Sequence, residues 1–281
     1  MRGSFDQFGT LPPASPVVVS VPHAGRDYPL PLRAAAAVPV ASMLALEDRH
    51  VDAVALAAHG GETLLIQRVA RAWIDLNRAE DERDPLIDDG AAAIPAGAAA
   101  TKLRSGLGLV PRRAAPGVML WRRRLADDEV RARIVADHRP YHAAVAAALQ
   151  AARERFGAAL LIDLHSMPSL PGARPARWVI GDRFGRSAGG RLVHAIEGEI
   201  AAAGHAVALN APYPGGHILS RHGRPADNVH AIQIEIDRRL YLDARLDAPG
   251  PGLDSTAALL RRLLAIAAEE LTGGITALAA E

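Results

Sequence analysis

The sequence predicts an α/β protein: a single domain over residues 1–281 built on a mostly parallel, mixed sheet flanked by helices. Three observations predict it. Short runs rich in Val, Ile and Leu alternate with longer Ala-, Leu- and Arg-rich amphipathic segments, the order of strands joined by helical crossovers. The longer segments stop at or near a glycine, as a left-handed helix C-terminus requires. At 281 residues the chain can bury a sizeable core.

The strand candidates, in order, are Pro16–Val21 (PVVVSV), Thr63–Ile66 (TLLI), Ala72–Leu76 (AWIDL), Ala159–Leu164 (ALLIDL), Arg177–Ile180 (RWVI), Ala206–Asn210 (AVALN) and Ala231–Ile236 (AIQIEI). Helices are expected over about Asp48–Ala58, Asp127–Arg155, Ser187–Ala203 and Ser255–Leu271. Between them, Asp88–Gly117 has low complexity and no sustained period, so it reads as a long loop.

Composition excludes several classes. Thirty-two basic against 31 acidic residues give a formal charge of +1, without the basic excess of a general nucleic-acid binder. With no cysteine there is neither a disulfide framework nor a thiolate nucleophile, which suits a reducing compartment, and any metal must use histidine and carboxylate. The first residues, MRGSFDQFGTLPPASP, lack an apolar signal core, and no window approaches 18 uncharged apolar residues. The expectation is a cytoplasmic protein that does not span a membrane. Lys102 is the only lysine, so the wealth of arginine reads as compositional bias.

In an open α/β sheet, ligands bind beyond the carboxyl ends of the strands. There VPHAG delivers His23, WIDLNR delivers Asn77 and Arg78, LIDLHS delivers His165 and IQIEID delivers Glu235. Alternation along a strand places Asp75 with Asn77, Asp163 with His165, and Gln233 with Glu235. Two histidines and a carboxylate are the ligand set of a catalytic zinc, with Asp48 and Glu47 both open as the third ligand. Taken singly these residues have plainer roles. Glu235 pairs with Arg238 in the simplest reading, Asp48 caps a helix, and His138 and His142, with Pro140 between them, pack.

Taken together, VPHAG, LEDRHVD, WIDLNR, LRSGLGLVPR, RPYH, LIDLHSMP, PYPGGHI and IQIEIDRRLY, which cover nearly the whole chain, resemble the N-formylglutamate amidohydrolases. That family is similar to the zinc carboxypeptidases and aspartoacylases. The resemblance implies a zinc carboxypeptidase-like fold and hydrolysis of N-formyl-L-glutamate to formate and glutamate in histidine degradation. It implies Zn2+ or another divalent metal on His23, His165 and Asp48, a substrate clamp at Asn77 and Arg78, and Glu235 as general base. In the wider superfamily the carboxylate ligand stands three residues after the first histidine, where this chain has Arg26. The substrate's second carboxylate would suit Arg71, Arg104, Arg112 or Arg221. In the glycine-rich loop, Tyr213 and Gly216 are candidates to line the substrate, and His217 to bind it or stabilise an oxyanion. The competing readings are a deacylase of another N-acyl acidic amino acid and a non-catalytic protein that binds acidic ligands.

Overall fold

The computed structural model describes residues 3–92 and 102–278, so nine residues of the expected Asp88–Gly117 loop, 93–101, lie outside it. The chain divides into two compact units. One comprises Met1–Asp6, Pro22–Glu47 and Gln67–Ala143; the other comprises Gln7–Val21, Asp48–Ile66 and Ala144–Glu281.

The second unit carries the sheet. In chain order its strands are β1 (Phe5–Phe8, through which the unit boundary runs), β2 (Val17–Val21), β3 (Thr63–Gln67), then, after the small β4–β5 hairpin of the other unit, β6 (Ala159–Met167), β7 (Trp178–Gly181), β8 (Val207–Leu209) and β9 (Val229–Asp237). Their spatial order is β1-β3-β2-β6-β9-β7-β8. β2 is parallel to β3 and β6, β6 to β9, and β7 to β8, whereas β7 and β9 run antiparallel, which makes the sheet mixed. All nine residues of β6 are buried, as expected of a central strand covered on both faces. Helix α3 (Val51–Ala58) and the last helix, α8 (Leu253–Leu278), pack on β2 and β6, while α6 (Gly190–Ala202) packs on β7 and β8. Left-handed Gly157 follows α5 (Arg139–Phe156), and left-handed Gly204 follows α6, as the stop signals require. The helix expected to end at Leu271 instead runs through Gly273 to Leu278.

The first unit is built from short pieces. They are α1 (Leu30–Ala35), α2 (Val40–Met43), the hairpin of β4 (Arg113–Ala115) and β5 (Val118–Met119), α4 (Asp127–Arg133), a π-turn over Ile134–His138 and the start of α5. Within Asp88–Gly117, the described residues hold a helical turn at 102–104, a bridge between Leu107 and Pro111 and strand β4. The long Asp127–Arg155 helix is present but is interrupted by the π-turn. The strand expected over Ala72–Leu76 does not form: Ala72, Trp73 and Leu76 lie in turns and the backbone between them is irregular. The reason is chemical, because Asp75 is fully buried there and curls the backbone around its carboxylate.

Candidate active site

In the sheet unit, the parallel register of β6 and β9 sets Asp163 beside Gln233 and His165 beside Glu235. Since side chains alternate, these four make one polar row toward the carboxyl ends of the strands. Ser20, opposite Asp163 on β2, donates to Asp163 Oδ1 at 3.0 Å, and Gln233 Nε2 donates to Glu235 Oε1 at 2.9 Å. Asp163 Oδ2 lies 2.8 Å from His165 Nε2 and Asp48 Oδ2 lies 3.0 Å from His165 Nδ1. One imidazole therefore has a carboxylate at each nitrogen.

With both carboxylates ionised, two chemical states satisfy that arrangement: a ring protonated on both nitrogens, or a ring with its proton on Nε2 and a cation at Nδ1. For the first, burial opposes the charge, but the Asp163 carboxylate, with Asp48 and Glu235, holds the imidazolium well above its usual range. For the second, a divalent cation takes the Nδ1 lone pair and an Asp48 oxygen, so the donors present fit a metal of the zinc type. Arg238 reaches Asp48 Oδ1 at 3.4 Å and donates from Nε to Ser166 Oγ at 3.1 Å.

The glycine-rich loop belongs to this unit. A side chain at Gly181, the last residue of β7, would meet the Tyr213 carbonyl at 2.6 Å, so the loop lies directly on that strand end. Burial, and then the nearby Glu235 charge, push the Tyr213 phenol upward, which places it close to the polar row. Gly215 takes φ 104°, Gly216 precedes the first turn of α7 (His217–His222), and His217 opens that helix. Arg221 is exposed in its last turn.

In the other unit Asp75 is the hub. Its Oδ1 accepts from His23 Nε2 at 2.7 Å and from the Asn77 N–H at 2.8 Å, and its Oδ2 accepts from Arg71 Nε at 2.9 Å. Arg71 Nη2 is 2.8 Å and Arg78 Nε 4.0 Å from the same oxygen. Burial alone would raise the Asp75 pKa, but Arg71, His23 and Arg78 together hold it well below the usual carboxylate range. The bond to Asp75 fixes the His23 proton on Nε2 and puts its lone pair on Nδ1, the same device that Asp163 applies to His165.

The loop around Asp75 is held by its backbone. Arg133 Nη1 donates to the Trp73 carbonyl at 3.0 Å, and Trp73 Nε1 to Asp137 at 2.8 Å. His138 Nε2 lies 2.8 Å from the Arg78 carbonyl and His142 Nε2 3.0 Å from that of Leu76. Both rings must carry the proton on Nε2. Asn77 and Arg78 thus stand on a fastened turn and not on the strand end expected of them. Arg78 donates from Nε to the Leu107 carbonyl at 2.8 Å and from Nη1 to that of Asn77 at 2.7 Å.

The arginines offered for a second substrate carboxylate separate here. Arg71 is tied to Asp75, and Arg112 donates from Nε to Asp84 Oδ2 at 2.8 Å; both are countercharges that buried carboxylates require. Arg104 is exposed and gives its carbonyl to Arg112 Nη2 at 3.2 Å. Glu47 accepts a short hydrogen bond from Tyr28, whereas Asp48 is the carboxylate on His165. The sequence reading missed the tie between Asp48 and Arg238, and the carbonyl clamps of His138 and His142. The one available signal was the Asp placed two residues before His165, on the same strand face.

Comparison with known proteins gives the family. A family model described as N-formylglutamate amidohydrolase matches residues 15–242. The chain is 31% identical to the N-formylglutamate deformylase of Pseudomonas aeruginosa over 261 residues, covering 89% of this chain and 91% of that protein. It is likewise 31% identical to the Pseudomonas putida protein of that name, covering 90% and 94%. The crystal structure of N-formylglutamate amidohydrolase from Ralstonia eutropha superposes with a TM-score of 0.88 at 34% identity, covering 97% of this chain and 100% of that one. Fold and relatives define an amidohydrolase built on a mixed sheet flanked by helices. The chain belongs to the N-formylglutamate amidohydrolase family.

Proposed function

We propose that the chain hydrolyses N-formyl-L-glutamate to formate and L-glutamate, using a divalent metal, zinc by its donor set, held by His23, Asp48 and His165. The observation that carries this reading is His165 between two carboxylates, next in register to Glu235. A purely structural histidine needs one acceptor, not two, and the second carboxylate is what a cation site adds. The names of the relatives support the substrate.

When bound, zinc supplies Lewis acidity that polarises the formyl carbonyl and acidifies water. Asp75 and Asp163 hold the two imidazoles in one tautomer, each with its lone pair on Nδ1. Glu235 removes a proton from the attacking water and delivers it to the amide nitrogen, so that the amine leaves neutral. His217 donates to the formyl oxygen as negative charge develops on it, and Tyr213 lines the substrate beside Glu235. Arg78 and Asn77 hold a substrate carboxylate, the guanidinium offering a planar fork.

The test is glutamate release from N-formyl-L-glutamate beside N-acetyl-L-glutamate and N-formyl-L-aspartate, with metal content measured before and after chelation. The expected outcome is a preference for N-formyl-L-glutamate and parallel loss of metal and activity on chelation. Full turnover by protein shown to be metal-free would refute metal dependence, and a preference for another acyl amino acid would refute the substrate.

A further inference from the structure

Three members of the polar row, Asp163, His165 and Glu235, have a part in the proposed reaction; Gln233 has none so far. Gln233 stands between Asp163 on β6 and Gly181 on β7, and Glu235 between His165 and Val179. Glycine and valine carry no polar side chain, so β7 offers neither residue a side-chain hydrogen bond. On the opposite face of β9, Ile232, Ile234 and Ile236 are fully buried. Gln233 is 5% and Glu235 7% exposed, and Gln233 Nε2 donates to Glu235 Oε1 at 2.9 Å.

The amide of Gln233 is only half satisfied. Its Oε1 is buried, and among the described residues no group donates to it. A buried acceptor without a donor carries the full cost of its lost hydration. Turning the amide over brings no relief, because its oxygen would then face a carboxylate oxygen. Methionine, of similar length, would fill the space without that cost. A residue kept there for packing has no use for an amide, so the bond to Glu235 is what the amide serves.

Reach and charge both single out glutamine. Residues two apart on a strand are separated by about 6.6 Å, too far for serine, threonine or asparagine to span. Lysine or arginine could span it, but an ion pair would spend the charge that a base needs. Glutamine is the neutral donor of sufficient length.

We infer that Gln233 is a positioning residue for the general base: by holding Glu235 Oε1 it commits Oε2 to the proton. The proton taken from the attacking water goes to Oε2 and leaves from there to the amide nitrogen of the substrate, while Oε1 keeps its hydrogen bond throughout. The carboxylate then does not turn between the two transfers. This rests on the proposed function and deepens it.

Gln233→Met keeps the length and removes the donor, whereas Gln233→Asn keeps the amide and removes the reach. With N-formyl-L-glutamate each should lower kcat about 10- to 100-fold, the span of one hydrogen bond to a charged group. KM should stay within about threefold of the parent, as for an interaction that acts in the transition state, and metal content should not change. Loss of metal, or a raised KM with kcat intact, would make Gln233 merely structural and overturn the proposal. In Glu235→Gln, which has no base to position, adding Gln233→Met should change kcat by less than about twofold; a loss as large as in the parent background would overturn it. The tie itself is read without substrate, by urea unfolding of chelator-treated protein. A cycle of Gln233→Met and Glu235→Met should show a coupling of about fivefold or more in the unfolding equilibrium constant, and no coupling would overturn the tie. An inactive parent would refute the proposed function and the base role with it, leaving the unfolding cycle to decide the tie alone, whereas parental kcat in Gln233→Met would refute the positioning role alone.

Discussion

Replacing Asp75 by Asn tests the hub on which the WIDLNR turn is built. Asparagine keeps the shape, and its Oδ1 can still accept from His23 Nε2 and the Asn77 N–H. Its amide group, however, must sit where Oδ2 now accepts from Arg71, so donors face donors. Each charged hydrogen bond lost there is worth about 1.5 to 3 kcal/mol, and breaking a buried ion pair costs roughly 3 to 5 kcal/mol in total. Against a folding stability of about 5 to 15 kcal/mol the variant should fold but melt early. Urea unfolding of chelator-treated protein at pH 7 measures this without any contribution from metal. Adding Arg71→Met to Asp75→Asn removes the stranded cation and should restore about 1 to 2 kcal/mol, a coupling that a double-mutant cycle isolates. The pH dependence follows from the depressed carboxyl: its stabilisation is fully present above the unfolded value near 3.8 and is lost only as pH falls toward the lower folded value. The deficit of Asp75→Asn should therefore be constant from pH 5 to 8 and shrink only below about 3.8. A loss under about 1 kcal/mol, or no recovery in the double variant, would refute the hub.

Two further outcomes follow from the sheet unit. Glu235→Gln should lower kcat about 10²- to 10⁴-fold while metal content and melting temperature stay near parental; near-parental kcat with full metal would remove Glu235 as the base. Asp163→Asn leaves an acceptor for His165 Nε2 but withdraws the charge behind the ring, so metal affinity measured by competition with a chelating dye should drop about 10- to 100-fold, and unchanged affinity would show that Asp163 does not orient a ligand.

The period of the apolar runs made the central sheet legible. β2, β3, β6 and β9 begin or end within three residues of where the apolar runs place them, and Asp163 shares a strand face with His165, and Gln233 with Glu235, as alternation requires, whereas the register that sets His165 beside Glu235 leaves no local pattern. The polar strand ends could be read because carboxylates and histidines are conspicuous in apolar strands. The Ala72–Leu76 turn was hidden for a physical reason: locally AWIDL is an apolar run, and only the charges of Arg71, Arg78 and His23, supplied through folding, make a buried Asp75 tolerable. The same holds for Arg112, whose tie to Asp84 spans 28 positions and leaves no local pattern. Helices α1 and α2 are too short to show a period, six and four residues respectively.

The π-turn over Ile134–His138 makes the grip on Trp73, Leu76 and Arg78 a matter of counting. An α-helix advances about 100° per residue, so side chains five apart point in different directions, whereas a wider turn brings positions i and i+5 into line. That extra residue lets Arg133 and His138 address the same turn, and His142, four further on, joins them in ordinary α spacing. The grip therefore depends on chain length as much as on side-chain identity. Inserting one residue between Arg133 and His138, even a plain alanine, would put them six apart and rotate the upstream grip away from the downstream one, whereas removing one, such as Ala136, would leave them four apart and in line once the turn closes to α geometry. An insertion here would thus act on the Asn77–Arg78 clamp as a substitution within it would.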